Sequence, residues 1–373
     1  MTNTQRRIPL RHDPEAGHPL VSRQEDISPA WLTAVLRASG MIRRARVIGA
    51  RTCAIGNGMV GTNLRLDLAY DESEALAPSS LVVKLPATRP ESRETGARMQ
   101  VYLRETRFYQ ELAPTARIAV PETLFADISD DGQTFCLLFE DLAPARSGDQ
   151  LLGCSAVDAA VVMDAAAALH APAWGNPAIE SWPWVNRESW TTLCSSLYLQ
   201  CAPAVRGRYG AVLEPESLEV VEAFAHRIVD YFAMQTAPFT VTHQDFRLDN
   251  MMFDAKGGRI PVVVLDWQTV LPGPGASDVS YFIGAGLLPE DRRRHEETLV
   301  RRYHDALLAL DVKAYSWTQC WRDYRLFAAQ GLITAVGAAM VTSPTERGDR
   351  MFSTMLRRHA QHMIDHDTLA LIG

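Results

Sequence analysis

The chain has 373 residues, 47% of them hydrophobic and 22% charged, with a formal net charge of −7. That length and composition give an ordinary folded protein room for two packed regions. A pI near 5.8 leaves no basic footprint, which argues against nucleic acid or anionic lipid as partner. The six cysteines (Cys53, Cys136, Cys154, Cys194, Cys201 and Cys320) form no C-x-x-C pair and no zinc-like spacing, so reduced thiols are expected. The start is polar and proline-interrupted and no later run approaches ~18 uninterrupted apolar residues, so a cytoplasmic protein without a membrane segment is expected.

Residues 1–27 read as a loose leader. Ser28-Pro29 followed by AWLTAVLRASG supplies an N-cap, a proline in the first helical turn and a closing glycine, predicting a short helix. From Ala45 the alternation of Leu64, Leu66 and Leu68 with Arg65 and Asp67 predicts a β-hairpin with a glycine-rich turn. The run SLVVKLP at Ser80–Pro86 predicts a strand, and residues from about Ser92 to Leu112 a helix ending before Pro114. Strands near TLFADI and TFCLLFEDL complete a small β-rich region. Beyond about Ala143, alanine-rich patterns such as VDAAVVMDAAAALH and a tryptophan-dense stretch from Trp174 to Trp190 predict a mainly helical second region.

The strongest chemical signal is VTHQDFRLDNMMFD, with His243, Asp245 and Asn250 spaced H-x-D-x-x-x-x-N, followed by the apolar strand IPVVVLD ending at Asp266. Phosphoryl transfer works mostly by positioning and charge neutralisation: it needs a carboxylate beside the attacking hydroxyl and oxygen ligands for the Mg²⁺ on ATP. Asp245 suits the first role, and Asn250 with Asp266 the second. The bland alternative makes these ordinary turn residues. His243 is expected to be a buried strut for the loop.

These residues resemble the catalytic and metal loops of the aminoglycoside phosphotransferase/choline kinase superfamily, particularly its ecdysteroid-kinase-like branch. The blocks HQDFRLDN, LDWQ and SDVSYF stand in the expected order, and the resemblance spans about Ile48 to Leu288. It implies an α+β, protein-kinase-like two-lobed fold with a small β-rich N-lobe and a larger mainly helical C-lobe. The expected division is a nucleotide-binding lobe over 1–141 and a catalytic, acceptor-binding lobe over 142–373. It also implies a kinase that transfers the ATP γ-phosphate to a small-molecule alcohol. Gln244 departs from the family, which usually has glycine there. Only eleven residues separate Asp266 from Asp278, too few for a segment that docks a protein substrate, which favours a small acceptor.

Gly56, Gly58 and Gly61 form G-x-G-x-x-G, a weak motif taken alone. A strand follows it where a dinucleotide-binding turn would open a helix, which suits a flap over ATP, with a plain hairpin turn as the alternative. Lys84, inside an apolar strand, requires a countercharge. Glu105 lies on a helix face shared with Met99, Tyr102, Tyr109 and Leu112 and is the expected partner; Glu94, or a solvent-facing Lys84, is the alternative. By resemblance, Lys84 reaches the α- and β-phosphates, backbone from Phe139 through Glu140 to Leu142 meets the adenine, and Asp278 braces the catalytic loop. Arg247 is placed equally well to steady the transferred phosphoryl group or to pair with Asp249.

Trp174, Trp182, Trp184, Trp190 and Tyr198 suit the walls of a pocket for an apolar or ring-bearing acceptor, and suit plain packing equally. The cation-rich DRRRH at Asp291–His295 speaks against a polycationic acceptor. His359, His362 and His366 share a helix face but read as surface histidines without a carboxylate, and no metal is expected there. Partners other than the alcohol are not expected, as monomer or homodimer. A silent nucleotide-binding regulatory protein of kinase fold is the alternative function.

Overall fold

The computed structural model describes residues 6–56, 61–236, 238–342 and 344–372. Two compact units divide the chain: one takes Met1–Ala116, Val120–Ala143 and Leu265–Thr269, the other Arg117–Ala119, Pro144–Val264 and Val270–Gly373.

The first unit is built on an antiparallel sheet of β1 (Val47–Ala54), β2 (Gly61–Tyr70), β3 (Ser80–Pro86), β4 (Thr123–Ile128) and β5 (Phe135–Glu140), in the order β1-β2-β3-β5-β4. Helix α1 (Pro29–Ala38) starts where the sequence sets it, with the Ser28 hydroxyl accepting from the Trp31 amide. Its apolar face, including Trp31, Leu32, Val35 and Leu36, shares one core with Leu64, Leu66, Leu81, Val83 and Leu138 of the sheet. Period-two alternation of apolar residues thus turns one sheet face onto the helix.

Two expectations fail here. Residues 6–27 are not loose: the Leu10 amide donates to Leu124 O and Leu10 O accepts from the Ala126 amide, both at 2.9 Å. Strand β4 is the sheet edge, and Leu10 satisfies backbone groups that the edge would otherwise leave open. The single helix over 92–112 is two helices, α2 (Pro90–Arg98) and α3 (Val101–Arg107), the second continuing as a π-helical turn over Phe108–Leu112. They break at Gln100, whose φ of 55° is left-handed. Tyr102 packs so closely on α2 that a Cβ at Gly96 would lie 2.5 Å from its ring, and the break lets the ring sit there.

The larger second unit is mainly helical, giving with the first the α+β, kinase-like two-lobed class that the sequence implies. Its long helices include α4 (Ala156–His170), Arg187–Tyr209, Pro289–Ala309, Gln330–Val341 and Glu346–Asp365. Two small sheets join them: β7 (Thr240–Thr242) pairs with β10 (Leu271–Gly273), and β6 (Arg146–Ser147) with β8 (Met251–Asp254) and β9 (Ile260–Val264). The H-x-D loop therefore runs between two strands, β7 and β8, that belong to different sheets. Two stretches, Ala156–Ala173 and Trp317–Val341, are long and apolar enough to cross a membrane by composition; in the apolar 18-residue window of each, 39% and 67% of the residues are buried inside the protein.

Candidate active site

In the first unit, strand β3 carries Lys84 between Asn63 of β2 and Leu137 of β5, with 7% of the residue exposed. Its Nζ donates to Glu105 Oε1 at 2.8 Å and to Asp266 Oδ1 at 3.0 Å, so the structure brings Lys84 and Glu105 together and adds Asp266. Glu94 is exposed and takes no part. Burial alone would lower the Lys84 pKa, but the carboxylates of Asp266 and Glu105 outweigh it and raise it. Burial pushes the Glu105 carboxyl up to about 7 against the pull of Lys84. Asp266 has the left-handed φ of 63°, and 37% of its side chain stays exposed. The next ring fixes it: Trp267 is fully buried and stacks on Phe108 with centroids 3.8 Å apart and planes 6° apart. Arg104 Nε holds the Gln268 carbonyl at 3.0 Å.

Gly56 takes a left-handed φ of 71°, and a Cβ at Gly61 would stand 3.2 Å from Leu85 O, so both places favour glycine. Gly58 lies outside the described residues. At the end of β5 the Glu140 amide donates to Glu122 O, Asp141 is bridged to Arg65 at 2.8 Å, and Leu142 is buried.

In the second unit, three side chains hold the Asp245 carboxylate. Tyr281 donates to Oδ1 at 2.7 Å, while Arg247 Nε at 3.1 Å and Asn250 Nδ2 at 2.9 Å donate to Oδ2. Burial opposes ionisation of Asp245, but the Arg247 charge and the Tyr281 hydroxyl prevail and keep its pKa below the ordinary carboxylate value. Asn250 Nδ2 also donates to the Asp245 carbonyl. Its NH₂ group is thus engaged by Asp245, and its Oδ1 is the group left to meet a cation. Arg247 bridges Asp245 and Asp249, with 3.0 Å to the latter, so the pairing half of the expectation describes it.

Asp278 supports this loop from below. With no exposed surface, it accepts from the His243 amide at 2.6 Å, the Gln244 amide at 2.9 Å and His170 Nε2 at 3.2 Å. His243 is buried, and its Nδ1 accepts from the Asp245 amide at 3.3 Å, which is the work of a strut.

The model of the family described as "Phosphotransferase enzyme family" matches residues 72–327, more than two thirds of the sequence. The chain belongs to the phosphotransferase enzyme family. It is a phosphotransferase whose family match takes in Lys84, Glu105, Asp245, Asn250 and Asp266 together. No curated protein matches its sequence. Its fold is similar to that of a choline kinase from Cryptosporidium parvum Iowa II (9% identity, TM-score 0.54, covering 90% of this chain and 94% of that one). It is also similar to an ethanolamine kinase from Plasmodium vivax (11% identity, TM-score 0.51, covering 87% and 86%). A third is the GDP complex of aminoglycoside 2'-phosphotransferase-IIIa (11% identity, TM-score 0.50, covering 84% and 94%).

The departure at Gln244 has a local consequence in this phosphotransferase. Its φ is 66°, the left-handed conformation that glycine takes freely. Gln244 is kept there by its amide bond to Asp278 and by side-chain bonds to Thr242 and Gln330. Sequence reasoning missed three supports of the loop. Tyr281 lies one helical turn after Asp278, and that i, i+3 spacing on SDVSYF is a signal that could have found it. Gln150 holds the loop from both sides, accepting from the Leu248 amide and donating its own amide to Asp249 Oδ1. His170 is the last residue of a helix whose alanine-rich sequence gives no sign of that role.

Tyr198 and Trp184 are buried, which is the packing alternative of the sequence reading, and Tyr198 donates to Val221 O. Trp182 stacks on Trp184 with centroids 5.1 Å apart and stays partly exposed. The DRRRH arginines do not form a field against cations: Arg292 is buried on Glu296 and Asp365, and Arg293 pairs with Asp365. The three C-terminal histidines are all buried, not on the surface.

Proposed function

We propose that this phosphotransferase transfers the γ-phosphate of ATP to a hydroxyl of a small, apolar or ring-bearing molecule, in the manner of the ecdysteroid-kinase-like branch. The observation that carries the proposal is the Asp245 carboxylate, ionised and held by Tyr281, Arg247 and Asn250 on a loop braced by Asp278. A carboxylate so fixed orients an acceptor hydroxyl and takes its proton as the new P–O bond forms. Lys84, kept cationic by Glu105 and Asp266, would bind phosphate oxygens, with Gly56, Gly58 and Gly61 as the covering flap and Glu140 to Leu142 at the adenine.

Each residue proposed for magnesium carries, by its own chemistry, the hard oxygen donor this ion takes: Asn250 has its Oδ1 beyond the NH₂ group that Asp245 engages, and Asp266 a carboxylate oxygen beyond the one on Lys84. When bound, Mg²⁺ neutralises phosphate charge. Choline, ethanolamine and aminoglycosides, named for the related structures, are all hydroxyl-bearing small molecules. The part-exposed ring of Trp182 supports an apolar or ring-bearing acceptor. No nucleic acid or membrane enters the proposal, and monomer and homodimer serve it equally.

The test is a coupled ADP-release screen over steroid alcohols, amino alcohols, hydroxyacyl-CoAs and aminoglycosides, repeated with Asp245→Asn. Acceptor-dependent ADP release should fall by about 10³-fold or more in the variant, while thermal stabilisation by Mg-ATP persists. Wild-type protein that binds ATP but turns over no alcohol, or a variant of full activity, would overturn the proposal.

A further inference from the structure

The end of the chain holds a second group of polar residues, within the second unit, that phosphoryl transfer does not use. His359 and His362 sit on helix Glu346–Asp365, and His366 caps its C-terminal end. Across from them, helix Pro289–Ala309 supplies Glu296, whose Oε2 lies 3.1 Å from His366 Nε2 and 4.0 Å from His362 Nε2. One ligand-type atom from each of Glu296, His362 and His366 lies within 4.8 Å of the other two.

His362 is fully buried, yet neither ring nitrogen has a hydrogen-bond partner among the described residues. The fold nonetheless makes room for it: a Cβ at Gly284, on the neighbouring helix Ala276–Gly286, would lie 2.6 Å from His362 Nδ1. A buried imidazole keeps an unpartnered nitrogen lone pair only at a cost, and the two acids that could satisfy it are a proton and a metal ion.

We propose that Glu296, His362 and His366 bind a divalent cation of the zinc class, tying the C-terminal end of one helix to the middle of another. Two imidazoles and one carboxylate are the donors of borderline ions such as Zn²⁺, Co²⁺ and Ni²⁺, whereas Mg²⁺ and Ca²⁺ prefer oxygen alone. Bonds of about 2.0–2.2 Å place tetrahedral ligand atoms roughly 3.4 Å apart, so the present spacings need only side-chain rotation to close. Glu296 Oε2 also accepts from Arg292 at 2.6 Å and Tyr324 at 2.9 Å, outer partners of the kind that orient a metal-bound carboxylate. Asp365 balances the Arg292 charge. The fourth position is open to water.

The full-length protein is stripped with a chelator and titrated with Co²⁺, followed by visible absorption, then by Zn²⁺ competition and elemental analysis. The expected result is one Co²⁺ per chain with the strong visible bands of a low-symmetry site, displaced by Zn²⁺ but not by excess Mg²⁺. His362→Ala and His366→Ala should each lower affinity by at least roughly 100-fold, and His295→Ala should not. Stripped wild-type protein, which needs no variant to fold, should also melt at a higher temperature as Zn²⁺ is added. Absence of stoichiometric uptake by wild-type protein, or uptake unchanged in both variants, overturns the proposal.

Discussion

Replacing Asp278 with asparagine exchanges one oxygen for an NH₂ group and tests what holds the loop that carries Asp245. The fully buried carboxylate accepts from three groups: Oδ2 from the His243 amide and His170 Nε2, Oδ1 from the Gln244 amide. An asparagine can turn its oxygen to the first pair, which leaves its NH₂ facing the Gln244 N–H, donor against donor. One buried amide loses its acceptor, at about 1–3 kcal/mol, and the remaining bonds lose the assistance of charge, so a total near 2–4 kcal/mol is expected. Urea unfolding followed by tryptophan fluorescence should show a lower midpoint with an unchanged slope, the displacement times the slope giving that energy. Because Gln244 is held left-handed by the same bond, the Asp245 carboxylate next to it should lose position, so kcat should fall while KM for ATP stays constant. A midpoint within about 0.5 kcal/mol of wild type together with an unchanged kcat would refute the bracing role.

Tyr281→Phe removes one donor to the charged form of Asp245 and so raises the Asp245 pKa. The group is ionised above its pKa, so the acid limb of a kcat/KM–pH profile should move to higher pH in the variant, and an unmoved limb contradicts the assignment. Trp267→Ala empties the stack on Phe108 and should cost about 3–5 kcal/mol in chemical unfolding, with weaker ATP binding in a thermal-shift titration because Asp266 loses its neighbour. Thiol labelling of native protein at pH 8 should modify exposed Cys53 first, while Cys154 and Cys320, whose thiols burial pushes up to about 12, react only on unfolding.

Much of the first unit was legible because its information is local. The alternation around Leu64 and Leu66, the cap at Ser28 and the bounds of Ser80–Pro86 each need a few adjacent residues to state. Lys84 and Glu105 could be paired from a distance because each, alone on an apolar face, demanded a countercharge. What stayed hidden depended on partners remote in sequence. Nothing around Gln100 breaks a helix, and the break follows from Tyr102 packing on Gly96. Nothing in the leader says strand, and Leu10 bonds because β4 is an edge. The histidines at 359, 362 and 366 have an amphipathic surround that suits a surface, but that helix face turns inward onto Glu296 and two glycine-lined helices. The arginine run read as a surface field because the sequence does not reveal that Arg292 has buried carboxylates to meet.

The two aspartates proposed for the site, Asp245 and Asp266, expose a pattern that composition rules cannot show. Asp266 itself, and Gln244 just before Asp245, have left-handed backbones without being glycine, a state that costs roughly 1–2 kcal/mol for an ordinary side chain. Each survives because its neighbourhood over-determines it. Asp278 grips the amides of His243 and Gln244 on one side, while the Trp267 ring locked on Phe108 and the Gln268 carbonyl held by Arg104 fix the other. Residues that bear no chemistry therefore set the direction of those that do. Local sequence preference yields at these two points because what is selected there is the aim of a carboxylate.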